Sequence, residues 1–587
     1  MKPINTLPQL LENRALQSPH AIAFWVRNNE EEWSSINWQA FYTKVQVLSS
    51  GLNKEGFGVG DVIAIMANTS IEWELFNQAI LAIGGVVVGL DPNELPEQLE
   101  SVVITSKVKA IAVDNLDRLN KFNKQTCRSF SKIITFQTTE FDPKFLHAIN
   151  LDVLIKHNQI NNNLPDIGPD DIATIVFTSG STGVPKGIVY RHKQVVLAVN
   201  TILQTYPELG ERCNLACWLP LSNLFQRMVN LSAISCGAQT YVVNNPKQIM
   251  EYLPQINPHV FFAVPRFYEK LNQALETKLN NRFFILQYLL RFSLLTAEKK
   301  SMTGLVCLQL NCFLFQSFRS LFGCNIRYMI SGSAPMPVWL LRRFQAMGLL
   351  ILEAYGQSEN VIPIAANRLD QYLFGSVGQV LPGNKIRLAE DNELLIRGDG
   401  VFSGYLESIN KKTLDSDGYL ATGDFAEIDS NGFIHLTGRK SEVFKTSTGR
   451  KIAPVFIESK IQQVKQVEHA VVFGQNKKFL IALISVNSFD IENHQNLTEY
   501  GLQLIRFLRI YIKDLPHYQK PAGIVLLRKN FSVSDQELTS NLKLRRKNIQ
   551  QHYATIITSL YSELENPLSK IHMHPINLDN ITLLLKL

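Results

Sequence analysis

A chain of 587 residues, 45% hydrophobic and 19% charged, has enough apolar side chains for a large core, which excludes global disorder, and is too long for one ordinary domain. Its formal charge of +7 suits anionic ligands, but a nucleic-acid binder clusters Lys and Arg more tightly, so no nucleic-acid partner is expected. The seven cysteines are odd in number, and Cys213 and Cys217 lack a second pair or a nearby histidine at zinc-ligand spacing. All seven therefore read as reduced thiols of a cytoplasmic protein. The start, MKPINTLPQLLENRA, lacks the apolar run of a signal peptide, and no stretch reaches the roughly 18 apolar residues of a membrane span.

The predicted elements begin with VIAIMAN (62–68), short, apolar and β-rich. IEWELFNQAILAIGG (71–85) follows with helical apolar spacing, then strands at VVVGLDP (86–92) and VKAIAVDN (108–115). Strands alternating with helices imply a mainly parallel sheet covered on both faces, which binds ligands outside the carboxyl ends of its strands. The same grammar returns at HVFFAVP (259–265), IRYMISG (326–332) and GLLILEAYG (348–356). Between them, residues 279–323 are apolar with Arg and Lys at helical spacing. They read either as two core helices with snorkelling basic residues, or as a tunnel wall or membrane-surface patch that collects a lipid substrate. After about residue 375 the texture becomes β-rich, with a hairpin at KIRLAEDNELLIRG (385–398) and turn signals at Asp417-Gly418 and Asn431-Gly432. From 440 to about 550 the strand–helix alternation resumes on a smaller scale, and residues 551–587 yield no reading.

The segment richest in chemistry is ATIVFTSGSTGVPKGIVYRH (173–192). A buried strand (Thr174–Phe177) leads into hydroxyl residues and glycines, and then Lys186. Small residues let backbone N–H groups approach an anion, hydroxyls add donors, and the lysine adds positive charge, so the segment reads as a phosphate cradle. Lys186 is followed by Gly187, so it is not a Walker loop.

Further segments follow in order: SGSAP (331–335), YGQSE (355–359), TGD (422–424), GRKSEVFKTSTGRKIAP (438–454) and ELTSNLKLRRK (537–547). With SGSTGVPKG (179–187), they resemble the motifs of the acyl-adenylate-forming superfamily of acyl-CoA synthetases, luciferases and peptide-synthetase adenylation domains. The similarity runs from about residue 7 to residue 550. It implies an α/β fold: a large N-terminal adenylation domain of doubly wound sheets plus a β-rich subdomain (1–438), a small mobile C-terminal α/β domain with a catalytic lysine (439–550), and a tail (551–587).

The resemblance also implies roles that fit the chemistry, because a carboxylate attacking the α-phosphate of ATP needs charge neutralisation and alignment. Thr178, Ser179, Gly180, Ser181, Thr182, Gly183 and Lys186 are expected to hold the β- and γ-phosphates, and Glu359 to bind Mg²⁺. Ser358 is expected at the α-phosphate, with Ser333, Ala334, Pro335, Tyr355, Gly356 and Gln357 around the adenine. Asp424 is expected to accept from the ribose hydroxyls, reinforced by Arg439. Lys543 is the implied catalytic lysine of adenylate formation. Rotation about Arg439–Ser441, with Ser441 as hinge, is implied to replace it with the 441–454 loop, where Gly449 lets the pantetheine thiol of coenzyme A pass. Gly332 and Asn223 fall on the acid and coenzyme A path.

NPHVFFAVPRFYEK (257–270), LFGCNIRYMISGSAPM (321–336) and LTSNLKLRRK (538–547) resemble the long-chain acyl-CoA synthetases best. That branch implies a fatty acid, ATP and CoA as substrates and sets 279–323 beside the acyl tunnel; the membrane-surface reading of 279–323 would instead place the protein peripherally on the inner face of a membrane. Two departures stand out: Asn223, in WLPLSNLFQR, replaces the usual histidine, and Ser441 replaces the usual Asp or Lys of the hinge. They keep two alternatives open, an acyl-AMP ligase serving a carrier protein and a catalytically weak acyl- or nucleotide-binding protein.

Overall fold

Runs such as VIAIM and AIAV, apolar at every position, suit strands covered on both faces, and the computed structural model places them there. It describes residues 4–28, 32–137, 148–156, 158–161, 164–179, 185–280, 316–406, 414–464, 466–486, 497–527, 529–532, 534–538, 544–565 and 581–586. The chain divides into two compact units: Met1–Met336 with Leu341–Ile386 and Ile396–Leu420, and Pro337–Leu340 with Arg387–Leu395 and Ala421–Leu587.

The largest sheet of the first unit has seven strands, in the order Ala148–Asn150, Lys132–Thr135, Ala110–Val113, Val62–Met66, Val86–Gly89, Ile172–Ser179, Pro185–Arg191. All neighbours are parallel except the last pair. The predicted helix after Val62–Met66 runs Ile71–Ala82, with the Ser70 side chain accepting from the Trp73 N–H at its N-terminus. It stops short of residue 85 because Gly84 adopts a φ of +73°, where a side chain is disfavoured. A second sheet joins Val260–Ala263, Tyr328–Ser331 and Ile351–Tyr355 in parallel, then adds Ala365–Ala366 and Gln379–Val380 antiparallel. A third sheet orders Asn214–Cys217, Gln239–Val242, Ile22–Arg27 and Trp33–Asn37. SGSAP and YGQSE thus leave the carboxyl ends of adjacent parallel strands, where such sheets place ligands.

Asn384–Leu388, Glu393–Gly398, Leu420–Ile428 and Ile434–Arg439 form a four-stranded sheet. Its first turn closes with the Asn392 N–H donating to the Ala389 carbonyl and Asn392 at φ +66°, as the Glu-Asp-Asn signal predicts. The rest of the second unit is built on a sheet ordered Val467–Phe473, Leu480–Val486, Pro521–Leu527, Ile581–Lys586. Alternation sends Ala470, Val472, Ala482, Ile484 and Ile524 to one core, with Leu504 and Leu508 of helix Leu497–Tyr511. It sends Val471, Ile481, Leu483 and Val525 to another, with Ile557 and Leu560 of helix Ala554–Glu565. Residues beyond 550, which gave no sequence reading, therefore supply a packed helix and an edge strand antiparallel to Pro521–Leu527. Most of 279–323 lies outside the described residues. Among those described, no helix is long and apolar enough to cross a membrane, and Cys127, Cys213, Cys217, Cys236 and Cys324 are free thiols.

One buried histidine ties the start of the chain to the first unit. The Leu7 N–H, an orphan donor in the first turn of helix Leu7–Gln17, donates to Nδ1 of His192 (3.3 Å), itself at the start of helix His192–Thr205. Burial pushes the imidazole down to about 4, the Asp171 charge opposing only weakly. A folded-state value below the free value makes the contribution complete above about pH 6.5 and lost as pH falls through about 4. His192→Gln, which keeps an acceptor and removes the titration, is expected to flatten the acid slope of unfolding free energy by about 3 kcal/mol across that window. Urea titrations of both proteins at a series of pH values check this; identical slopes would rule the role out.

Candidate active site

The phosphate-loop candidate is the turn of a β-hairpin. Ile172–Ser179 pairs antiparallel with Pro185–Arg191, in register Thr178↔Lys186 and Ser179↔Pro185. The strand is longer than the predicted Thr174–Phe177, and its buried part is Ala173–Ile175, with Thr178 half-buried at the exit. Gly180, Ser181, Thr182 and Gly183 lie outside the described residues. The hairpin fixes both ends of their loop and sets Lys186 opposite Thr178.

Lys186, Ile188 and Tyr190 alternate along one face of the returning strand, and each meets a segment distant in sequence. The Lys186 ammonium lies 5.1 Å from the centre of the Tyr405 ring, within cation–π range. Ile188 forms a β-bridge with Tyr405, and the Tyr190 hydroxyl donates to the Ser358 carbonyl. The Tyr405 hydroxyl donates to Oε1 of Glu359 (2.9 Å). Burial, then the Glu359 charge, pushes both phenols above their usual range, so they remain protonated donors. The 357–361 turn is held further by the Phe402 N–H on the Glu359 carbonyl and the Val361 N–H on the Gly400 carbonyl, 2.9 and 3.0 Å. Lys186, Ser358 and Glu359 are thus brought together, with Gly356 and Gln357 in the same turn. Tyr355 ends its strand, buried, where the Ile364 N–H donates to its carbonyl.

Sequence reasoning missed Tyr190 and Tyr405. Tyr190 was detectable, four residues after Lys186 on the same strand face. Tyr405 reaches the site through a long-range bridge and left no local signal.

Ser333, Ala334 and Pro335 form an exposed turn, with Ser333 at φ +75°, a strained position for a non-glycine residue. Behind it the buried Glu353 carboxylate accepts from the Met336 N–H (3.1 Å). Burial raises Glu353 to about 7, the Met336 N–H opposing. A Cβ on Gly332 would meet only ordinary contacts, the Ala354 carbonyl at 3.7 Å and the Phe225 ring at 3.8 Å. Crowding by the protein is therefore not what calls for glycine there.

Asn223 is the N-cap of helix Leu224–Cys236, its side chain accepting from the Phe225 N–H (3.1 Å). The next turn is fixed from inside. Gln226 Oε1 accepts from the Trp218 and Leu219 N–H groups, and its amide donates to Asn230. Asn230 donates to Glu74, and Arg227 donates to the Thr174 hydroxyl.

In the second unit, Asp424 and Arg439 face each other across paired strands and form an ion pair of 2.9 Å. The TGD segment lies within strand Leu420–Ile428, with Gly423 at φ +75° and its N–H on Glu393. Lys440 bridges Glu393 (2.5 Å) and Asp391 (2.9 Å). Ser441 is exposed, between Lys440 and the half-buried Glu442, whose carboxyl burial raises above the usual range. Gly449 has φ +81° and no atom within 4 Å of an added Cβ, so conformation rather than space calls for glycine. Lys543 lies outside the described residues. Its segment is tied at both ends by the Leu538↔Leu544 bridge and the Arg545 N–H on the Glu537 carbonyl (2.7 Å). Next to it, Arg546 makes a bidentate pair with Glu458 (2.5 and 2.8 Å).

The sequence profile of the AMP-binding enzyme family matches residues 11–406, and that of an AMP-binding enzyme C-terminal domain matches 442–565. The chain belongs to the AMP-binding enzyme family. Within it the chain is most like the long-chain acyl-CoA ligases. It is 26% identical to the long-chain-fatty-acid–CoA ligase FadD15 of Mycobacterium bovis, over 90% of this chain and 93% of that one. It is 24% identical to the long-chain-fatty-acid–CoA ligase ACSBG2 of Homo sapiens, over 91% and 89%. The A-PCP didomain of carboxylic acid reductase from Segniliparus rugosus, solved with AMP, matches with a TM-score of 0.77 at 17% identity, over 95% and 82%. The anthranilate CoA ligase AuaEII, solved with anthranoyl-AMP, matches at 0.73 and 18%, over 94% and 98%. The fold is that of the adenylate-forming enzymes, and the class is that of the AMP-forming acid–thiol ligases.

Tyr405→Phe keeps a ring beside Lys186 and removes the hydroxyl from Glu359. Losing one hydrogen bond to a charged group is expected to slow adenylate formation about tenfold, with unfolding midpoint unchanged. Pyrophosphate exchange at saturating ATP measures it, and wild-type rates would show that the bond does not orient the carboxylate.

Proposed function

We propose that the protein activates a long-chain fatty acid with ATP as an acyl-adenylate, releasing pyrophosphate, and passes the acyl group to the thiol of coenzyme A, releasing AMP. The observation that carries this is the grouping of Lys186, Ser358 and Glu359 around Tyr190 and Tyr405, at the hairpin whose turn is SGSTG. The similarity to two relatives named as long-chain-fatty-acid–CoA ligases supports the choice of acid and acceptor.

In this reading Thr178, Ser179, Gly180, Ser181, Thr182, Gly183 and Lys186 bind the β- and γ-phosphates, and Ser358 binds near the α-phosphate. Tyr355, Gly356 and Gln357, with Ser333, Ala334 and Pro335, flank the adenine. Asp424, aligned by Arg439, accepts from the ribose hydroxyls. Glu359 is a fitting Mg²⁺ ligand: its carboxylate is oriented by Tyr405, and Mg²⁺ commonly takes only one or two carboxylates alongside substrate phosphates. The ion would neutralise phosphate charge.

Lys543 serves adenylation, while the segment after Ser441, with Gly449, serves transfer to the thiol. This division assigns residues 1–438 to adenylation and 439–550 to a mobile domain. Gly332 and Asn223 lie on the acid and pantetheine path. A carrier-protein thiol is the second reading of the acceptor, motivated by the committed cap at Asn223 where the family's histidine is absent.

Acid-dependent ATP–pyrophosphate exchange with acetate, octanoate, palmitate, oleate and benzoate, followed by thioester detection with coenzyme A, tests the proposal. Exchange with palmitate or oleate plus acyl-CoA is expected. Exchange without acyl-CoA would favour the carrier reading, and no exchange with any acid would leave a binding protein. Lys543→Ala is expected to lower exchange on the order of 10²–10³-fold, the scale of one lost electrostatic stabiliser, while sparing thiolation of supplied acyl-adenylate. Gly449→Trp should block transfer more than exchange. Gly449→Asn, which tolerates positive φ, separates obstruction from strain.

A further inference from the structure

We propose that the solvent-facing side of helix Leu497–Tyr511 docks on a lipid bilayer bearing anionic headgroups. The opposite side is committed to the core of the second unit, where Leu504, Ile505, Leu508 and Ile512 are buried. The outward arc keeps Leu502 at 47%, Phe507 at 42% and Ile510 at 59% exposure. Four large exposed hydrophobic residues, Leu502, Phe507, Ile510 and Tyr511 (36%), share this one helix, with Tyr518 (41%) just beyond. Such a concentration marks an interaction surface rather than ordinary surface scatter.

The charges select the partner. Arg506 and Arg509 are exposed and interleave with Leu502 and Ile510 on the same arc. Lys513 follows, and no acidic residue occurs from 500 to 513. Beyond the helix, Arg450 stands over the Tyr518 ring at 5.1 Å. Glu499 and Asp514 bound it at either end. Phenylalanine, leucine and isoleucine beside arginines is the composition of an interfacial helix: apolar side chains enter the headgroup boundary while guanidinium groups reach anionic phosphates. Because the inner side holds the core, the helix lies in the plane of the surface and only its outer side chains enter.

Sedimentation of the full chain with vesicles of phosphatidylcholine, with and without phosphatidylglycerol, tests it. Binding is expected to the anionic vesicles, weakening as salt rises. Each arginine near such a surface contributes about fivefold in partitioning, so Arg506→Gln with Arg509→Gln is expected to lower it about thirtyfold. Phe507→Ser with Ile510→Ser should lower it independently. Both pairs are exposed, and unchanged unfolding midpoints confirm that the variants are folded. No binding by the wild type, equal binding to both vesicles, or binding that survives both double variants would overturn the proposal. A shift from dimer to monomer in either variant, read by analytical ultracentrifugation, would overturn it too, by showing a second copy as the occupant.

Discussion

A carboxylate in the interior must be hydrogen-bonded, and Glu74, 2% exposed, sets the arrangement of much of the first unit. Gln78, one turn along its own helix, donates to one oxygen, and Asn230 of helix Leu224–Cys236 donates to the other. Asn230 accepts from Gln226, which holds the Trp218 and Leu219 N–H groups and so fixes the loop ending at Asn223. Arg227, buried among the same groups and pushed down to about 10 by burial, donates to Thr174 on the strand that leads to the phosphate-loop candidate. This buried group of side chains thereby joins the hairpin strand to the loop that ends at Asn223. Breaking such a network by removing one partner costs about 3–5 kcal/mol, because it leaves a charge without compensation.

The second unit repeats the device. Glu458 is buried, accepts from the Val472 N–H, and forms its pair with Arg546. Arg546 also lies 3.9 Å from Glu442, next to Ser441. Arg546, inside the ELTSNLKLRRK segment, is therefore electrostatically tied to Glu458 and to Glu442 beside the hinge candidate. Serine at 441 carries no charge into this set, so Glu442, Glu458 and Arg546 keep their pairing without a competitor. An aspartate there would add a second anion beside Glu442, already raised by burial.

Much of this was legible in sequence, for physical reasons that can be named. Strands buried on both faces must be apolar throughout, so 62–66, 86–89 and 110–113 declared themselves. The SGSTG segment stood out because an anion cradle calls for small and hydroxyl residues beside a lysine, whereas TGD was visible only through its resemblance to a family motif. What failed to show were contacts whose cause is long-range. Tyr405 is unremarkable in its own segment and gains its meaning from Ile188 and Glu359. The strand Ile581–Lys586 is an edge, and a short apolar run such as ITLLLK does not say what it pairs with. Asn223 read as a departure from a chemical role, yet locally it is a residue suited to start a helix.

That double reading bears on how the site tolerates change. Asparagine is among the preferred N-cap residues, so Asn223 puts a helix-starting side chain where a titratable one is usual, in a loop already fixed by Gln226. Glu353 points the same way. A carboxyl raised to about 7 is protonated over much of the physiological range, and its stabilising contribution is present below about 4.5 and lost as pH rises through about 7. Ionised, it accepts more strongly from Met336; protonated, it avoids the cost of a buried charge beneath the strained Ser333 turn. The candidate adenine segment thus rests on a group balanced between two states near neutrality, whereas the turn carrying Ser358 and Glu359 is held by tyrosines that stay protonated. The turn proposed for the phosphates is therefore fixed by donors of constant charge, and the turn proposed for the adenine is backed by a carboxyl whose charge changes near neutrality.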